Sequence, residues 1–231
     1  MGSNIKRETV FLEFYGLPGS GKSTLSHLLA KELRNRKNTV KEPTYHIDHN
    51  RNQYFRKALK LLKYIRYMFC YPIRNIQLIQ CVIRNGYKGV SIISQCSNIA
   101  QKLWLYDHAH SDYVVFDEGL TQSAISLSYT EKINIIENEK ILYSLCKKRA
   151  TIKIYICISV EEAKKRLTNR NTHNSRIERI KGNEQQDNKL KIIEVFCRSI
   201  SSDIILYGNE TQDNFTNTIQ RIEQILKFSK I

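Results

Sequence analysis

The sequence of 231 residues predicts an α/β domain, a parallel sheet with helices packed on both faces. Three observations carry that reading. The run Gly16-Leu17-Pro18-Gly19-Ser20-Gly21-Lys22-Ser23-Thr24 lies between a strand pattern and a helix pattern. Short apolar runs rich in β-branched residues alternate along the chain with segments of helical periodicity. One of those runs, Tyr113-Val114-Val115-Phe116, ends in the pair Asp117-Glu118. In a parallel α/β sheet the carboxyl ends of the strands open on the ligand crevice.

The glycine run fits the phosphate-loop pattern G-x-x-x-x-G-K-[ST] in full. Glycines let the backbone curl so that successive N–H groups point at phosphate oxygens. Lys22 supplies a point charge for the β- and γ-phosphates, and Ser23 a hydroxyl for Mg²⁺. Gly16, Pro18, Gly19, Ser20, Gly21, Lys22, Ser23 and Thr24 are therefore the candidate nucleotide-binding residues, with ATP and Mg²⁺ as the implied cofactors. The flanks agree. Thr9-Val10-Phe11-Leu12-Glu13-Phe14-Tyr15 reads as a buried strand, and Leu25, Leu28, Leu29 and Leu33 recur at helical spacing after the loop.

Further elements follow in order. Residues 39–43 read as a short second strand, which Pro43 ends. Residues 50–111 read as a helical insertion: Phe55, Ala58, Leu59, Leu62, Ile65 and Phe69 form an apolar stripe, Pro72 breaks the run, and Gly86 and Gly89 mark a turn. A third strand covers 112–119, a fourth 151–158, and a helix 161–170. The polar stretch 171–188 is expected to be mobile. Residues 203–208 read as the last strand and 215–228 as the closing helix. The whole chain, 1–231, reads as one domain with the basic insertion inside it.

Charge narrows the partners. The formal net charge is +15, from 37 Lys and Arg against 22 Asp and Glu, so an anionic partner is expected. Residues 49–106 contain no Asp or Glu but hold Arg51, Arg56, Lys57, Lys60, Lys63, Arg66, Arg74, Arg84, Lys88 and Lys102. A solvated lid, an anionic acceptor, a peripheral contact with anionic lipid or another polyanion all fit this block. No nucleic-acid recognition motif accompanies it. The six cysteines form no C-x-x-C pair and read as buried free thiols. The histidines lack metal-ligand spacing. No apolar run approaches the roughly 18 residues of a membrane span. The N-terminus shows no apolar signal core, so a cytoplasmic location is expected. A homodimer is a further expectation.

The remaining candidates are charged groups near strand ends. Asp117 is placed to hold Mg²⁺ through water and Glu118 to meet the substrate. Glu42, at the tip of the second strand, is a candidate base or substrate clamp. Arg166 and Arg170 share a helix face, and Arg176 lies in the polar segment beyond. Guanidinium forks suit the equatorial oxygens of a transferring phosphoryl group, and a segment bearing them could close over bound nucleotide.

Taken in order, these residues resemble the nucleoside and nucleotide kinases, thymidylate kinase especially. The loop at 16–24, the Glu42-Pro43 strand end, the helix Glu161-Glu162-Ala163-Lys164-Lys165-Arg166-Leu167 and the turn Tyr207-Gly208-Asn209 each look like a segment of that family. The resemblance implies a three-layer phosphate-loop fold with a five-stranded parallel sheet and ATP-dependent phosphoryl transfer. It also implies Glu42 as general base, an arginine-bearing lid and Asn209 beside the adenine. One departure stands out: where the family has Asp-Arg or Glu-Arg-Ser after the third strand, this chain has Asp117-Glu118-Gly119. The missing arginine leaves the acceptor open between a nucleoside or nucleotide and a sugar or cell-surface glycan precursor. With Asp117-Glu118-Gly119-Leu120 at this point, the chain resembles a divergent thymidylate-kinase-like branch. A rival of another class is an ATP-dependent switch that hydrolyses slowly and signals through the basic block.

Overall fold

The computed structural model describes residues 8–43, 53–130, 134–169, 183–207, 220 and 224–225. Its strands are β1 (Val10–Gly16), β2 (Val40–Lys41), β3 (Tyr113–Phe116), β4 (Thr151–Cys157) and β5 (Ile204–Tyr207). Its helices are α1 (Lys22–Asn35), α2 (Gln53–Cys70), α3 (Pro72–Arg84), α4 (Val90–His108), α5 (Leu120–Leu127), α6 (Ile135–Ser144), α7 (Val160–Thr168) and α8 (Asn183–Ser199). The sheet is five-stranded in the order β2-β3-β1-β4-β5, and every pair is parallel. This is the expected three-layer phosphate-loop fold.

The order places the crevice. The chain runs from β1 to the edge strand β2, steps back to β3 between them, then crosses β1 to β4 and β5 on the other side. The strand order therefore reverses at β1, and such a switch point leaves an opening above the carboxyl ends of neighbouring strands. The glycine loop after β1 and the carboxylates after β3 flank that opening, because β1 and β3 pair directly.

Each face of the sheet has its own core. Leu12, Phe14, Val115, Ile154 and Ile156 pack with Leu29 and Leu33 of α1 and with Leu190 and Ile193 of α8. Phe11, Val114 and Phe116 face the other way, onto α4 and α5 through Leu103, Tyr106, Leu120 and Ala124. The Phe11 and Tyr106 rings stack at 4.0 Å between centroids, which fixes α4 across the sheet.

The helical insertion between β2 and β3 forms as three helices. Pro72 starts α3 as well as ending α2: it occupies the first turn, where its missing N–H costs no hydrogen bond. Glycines 86 and 89 adopt positive φ in the turn before α4. Two boundaries differ from expectation. β2 is only two residues long, and Glu42 follows it outside the ladder. α8 opens at Asn183, so the last residues of the stretch expected as a lid, 183–188, are helical. The rest of that stretch and most of the closing segment 215–228 lie outside the described residues.

Four of the six cysteines, Cys81, Cys96, Cys146 and Cys197, are buried free thiols; Cys157 is half-buried and Cys70 is exposed. Cys70 departs from the expectation of burial because it sits in the last turn of α2, at the corner before Pro72.

Candidate active site

β1 is buried along its whole length and delivers the chain to Gly16. From there Gly16, Gly19 and Gly21 have φ of 151°, 86° and 93°, values that favour glycine. Gly19 is also held by space: a Cβ there would lie 3.0 Å from the Ala163 carbonyl and 3.3 Å from Leu167 Cγ of α7. α7 thus rests against the loop. It starts at Ser159, whose Oγ accepts from Glu162 N at 3.2 Å, an N-cap the sequence carries in Ser-x-x-Glu spacing.

α1 begins at Lys22, so the positive end of its dipole points into the loop. Lys22 is 8% exposed, and its Nζ donates to the carbonyls of Gly16 at 3.1 Å and Leu17 at 2.9 Å. The ammonium therefore arches over the loop it belongs to. Ser20 Oγ is buried with no hydrogen-bond partner. Ser23 and Thr24 are exposed at the start of α1, and Pro18 is half-buried.

Ser23 and Asp117 meet across the opening. Ser23 Oγ donates to Asp117 Oδ2 at 2.9 Å, while Asp117 Oδ1 is buried without a hydrogen-bond partner. An unpartnered buried carboxylate oxygen beside a hydroxyl is a donor set that suits a hard cation such as Mg²⁺, which takes oxygen ligands. The residues present thus fit the metal that the loop motif calls for.

The two candidate bases differ. Glu118 is exposed, next to Asp117. Glu42 is 3% exposed; its Oε2 lies 2.5 Å from Arg34 Nη1 and its Oε1 2.9 Å from His27 Nδ1, both on α1. That contact ties the end of β2 to the helix behind the loop. Arg166 is on α7, its Nε donating to Glu162 Oε1 at 2.6 Å one turn earlier. Arg170, Arg176 and Asn209 lie outside the described residues.

Four further residues build the floor of the site. Gln122 of α5 accepts from Gly16 N at 3.1 Å and pins the start of the loop. Glu13, in the middle of β1 and wholly buried, accepts from Leu120 N, Tyr106 Oη and, on its other oxygen, Thr121 N and Tyr143 Oη, all at 2.8–2.9 Å. It caps α5 from beneath and holds the loop carrying Asp117 against the sheet. Gly119 is glycine for this reason: a Cβ would overlap the Glu13 carboxylate. Lys102 of α4 donates to the Gly119 carbonyl at 3.1 Å and to Ser123 Oγ at 2.6 Å. Burial lowers its pKa, opposed by the nearby carboxylates of Glu118, Glu13 and Asp117. A charged residue inside an apolar strand was the one signal in the sequence for Glu13, since such a carboxylate requires donors around it.

No protein-family model matches the chain, and no curated protein is similar to it in sequence. Its fold is similar to that of deoxyadenosine kinase from M. mycoides, solved with the products dCMP and a flexible dCDP, at a TM-score of 0.51 and 17% identity over 94% of this chain and 98% of that one. The same enzyme with bound dCTP matches at 0.45 and 18% identity over 93% and 98%. At this identity the likeness defines the fold, a phosphate-loop α/β fold of the type found in a nucleoside kinase. No helix among the described residues is long and apolar enough to cross a membrane.

Proposed function

We propose that the chain is an ATP-dependent kinase that passes the γ-phosphoryl group to a small acceptor, a nucleoside or nucleotide in the first instance. The observation that carries this reading is the pairing of Ser23 Oγ with Asp117 Oδ2 at 2.9 Å beside Lys22, with Asp117 Oδ1 left open. Mg²⁺ bound with ATP would supply charge neutralisation on the phosphates. Ser23 and Asp117 are the residues that would hold it, and Lys22, together with the amides of the loop, would bind the phosphates.

On the acceptor side, Glu118 is the carboxylate we assign to the acceptor hydroxyl. It is exposed next to Asp117, whereas both oxygens of Glu42 are engaged by Arg34 and His27. Glu42 as base requires that ion pair to open when the acceptor binds; Glu118 requires no such step. Lys102 places a cation beneath Gly119, beside the position where the resemblance leads one to expect an arginine. The arginines at 170 and 176 and the lid they belong to remain part of the proposal, as does Asn209 at the base. A cytoplasmic setting fits this chemistry.

The reading is tested by ATP turnover measured with a panel of nucleosides, nucleoside monophosphates and sugars, alone and with Lys22→Ala. Stimulation by a nucleoside or nucleotide, lost in Lys22→Ala, is the expected result. Stimulation by a sugar alone moves the assignment to a glycan precursor. Slow turnover that no acceptor changes identifies the switch instead.

A further inference from the structure

We propose that α2 docks the protein on an anionic lipid surface. Helix α2 has three faces. Tyr64 and Tyr67 are buried and join the core that α4 and α5 share. A second face carries the exposed cations Lys63 and Arg66, the latter with its guanidinium 4.5 Å above the Trp104 ring. The third face is apolar and open to solvent: Leu61, Leu62, Ile65, Met68 and Phe69 recur at i, i+3, i+4 and i+7, and Ile73, on α3 past the Tyr71 corner, is exposed as well. Phe69 is 77% exposed, Ile73 72% and Leu62 64%. A contiguous patch of this kind marks an interaction surface.

Charge selects the occupant. Residues 49–106 carry no acid. A second copy packed on this face about a twofold axis would set the same patch against itself, and its basic borders would meet basic borders with no carboxylate of the segment between them. An anionic bilayer removes that conflict. Phosphate and carboxylate headgroups meet Lys63 and Arg66, which flank the stripe on α2, while the aliphatic side chains enter the acyl boundary. Arg74 takes no part, since Asp107 neutralises it at 2.5 Å. Nucleic acid would satisfy the cations but leave the leucine, isoleucine and phenylalanine side chains wet.

The inference is independent of the kinase reading, and its test reads binding alone. The full chain is mixed with vesicles of phosphatidylcholine containing 30% phosphatidylglycerol, and separately with pure phosphatidylcholine, and the bound fraction is measured by flotation. Binding to the anionic vesicles, weakened by 0.5 M NaCl, is expected. Leu62→Ser with Phe69→Ser should lower it at least about tenfold, because two exposed side chains lose their apolar burial. Lys63→Glu with Arg66→Glu should lower it comparably while leaving the stripe intact, so the two variants guard against loss through misfolding. Thermal melts of both are expected to match the parent. Absence of binding to anionic vesicles overturns the proposal, as does binding that neither pair of substitutions changes. It is also overturned if sedimentation shows a dimer that Leu62→Ser/Phe69→Ser splits without affecting vesicle binding, or if a DNA duplex binds and vesicles do not.

Discussion

The Ser23 hydroxyl and the Asp117 carboxylate, 94 residues apart in sequence, meet at 2.9 Å because β1 and β3 are neighbours in the sheet. One oxygen of Asp117 is spent on that contact and the other is buried without a partner. If this pair holds Mg²⁺, Asp117→Asn should raise the Mg²⁺ concentration for half-maximal ATP turnover by about 10–100-fold. A Mg²⁺ titration of the parent and the variant checks it; an unchanged midpoint removes Asp117 from the metal.

Beneath that pair, Glu13 and Gly119 depend on each other. Gly119→Ala should destabilise the fold by about 3 kcal/mol, since the new methyl group has to displace a buried carboxylate from its donors. Glu13→Gln should cost about 2–4 kcal/mol, because an amide nitrogen would face a backbone N–H or a tyrosine hydroxyl that now donates to a carboxylate. Urea unfolding of each variant gives the numbers. A shift in the midpoint too small to measure for either would show that the network under α5 is not structural.

Gln122 acts from the same first turn of α5. Its side-chain oxygen accepts from Gly16 N, so Gln122→Ala should loosen the entry to the loop and raise KM for ATP by roughly 5–10-fold, the equivalent of one lost hydrogen bond of about 1 kcal/mol. A fall of a few degrees in melting temperature is also expected, since the buried Gly16 N–H loses its acceptor. Steady-state kinetics in ATP are the measurement.

Stability should fall on the alkaline side of pH 9. Burial pushes the thiols of Cys81 and Cys96 up to about 11, and those of Cys146 and Cys197 up to about 12, against 9.0 for an ordinary thiol. A raised folded value means that the native chain keeps protons the unfolded chain has already lost. The stabilisation is therefore complete below pH 9 and is lost as pH rises from 9 through 11 to 12, by up to about 1.4 kcal/mol per pH unit for each thiol. Lys102 works in the opposite sense: burial lowers its pKa, so its contribution improves as pH rises towards 10.5. Four thiols outweigh one lysine. Urea midpoints at pH 8, 9 and 10 under reducing conditions should decline above pH 9, and Cys96→Ala should flatten the slope. A midpoint that stays level would contradict the burial of these groups.

Much of the architecture was legible in local patterns. The glycine loop and the apolar strands are periodic or contiguous signals, and each formed close to where the sequence places it. The helix α2 formed too, but its stripe at Leu62, Ile65 and Phe69 faces solvent while Tyr64 and Tyr67 take the buried side, and the side chain of Phe55 lies outside the described residues. β2 was harder to delimit: two residues suffice to join the sheet because β3 supplies the ladder, and no local pattern records that. Glu42 reads in the sequence as a strand-tip carboxylate open to a substrate. Its engagement by Arg34 and His27 depends on how α1 lies across β2, a matter of packing.

The sequence by itself determined the phosphate loop, the class of fold and the acid-free insertion, because each rests on neighbours within about ten residues or on composition. The tertiary structure alone decided which groups share the site. Ser23 faces Asp117, Glu13 lies under Gly119, Gln122 holds Gly16 and Lys102 reaches Gly119 only once the parallel order β2-β3-β1-β4-β5 brings distant strand ends and helix starts together. The physical reason is that a buried polar group must find its partner in space, and the chain distance to that partner carries no local signature.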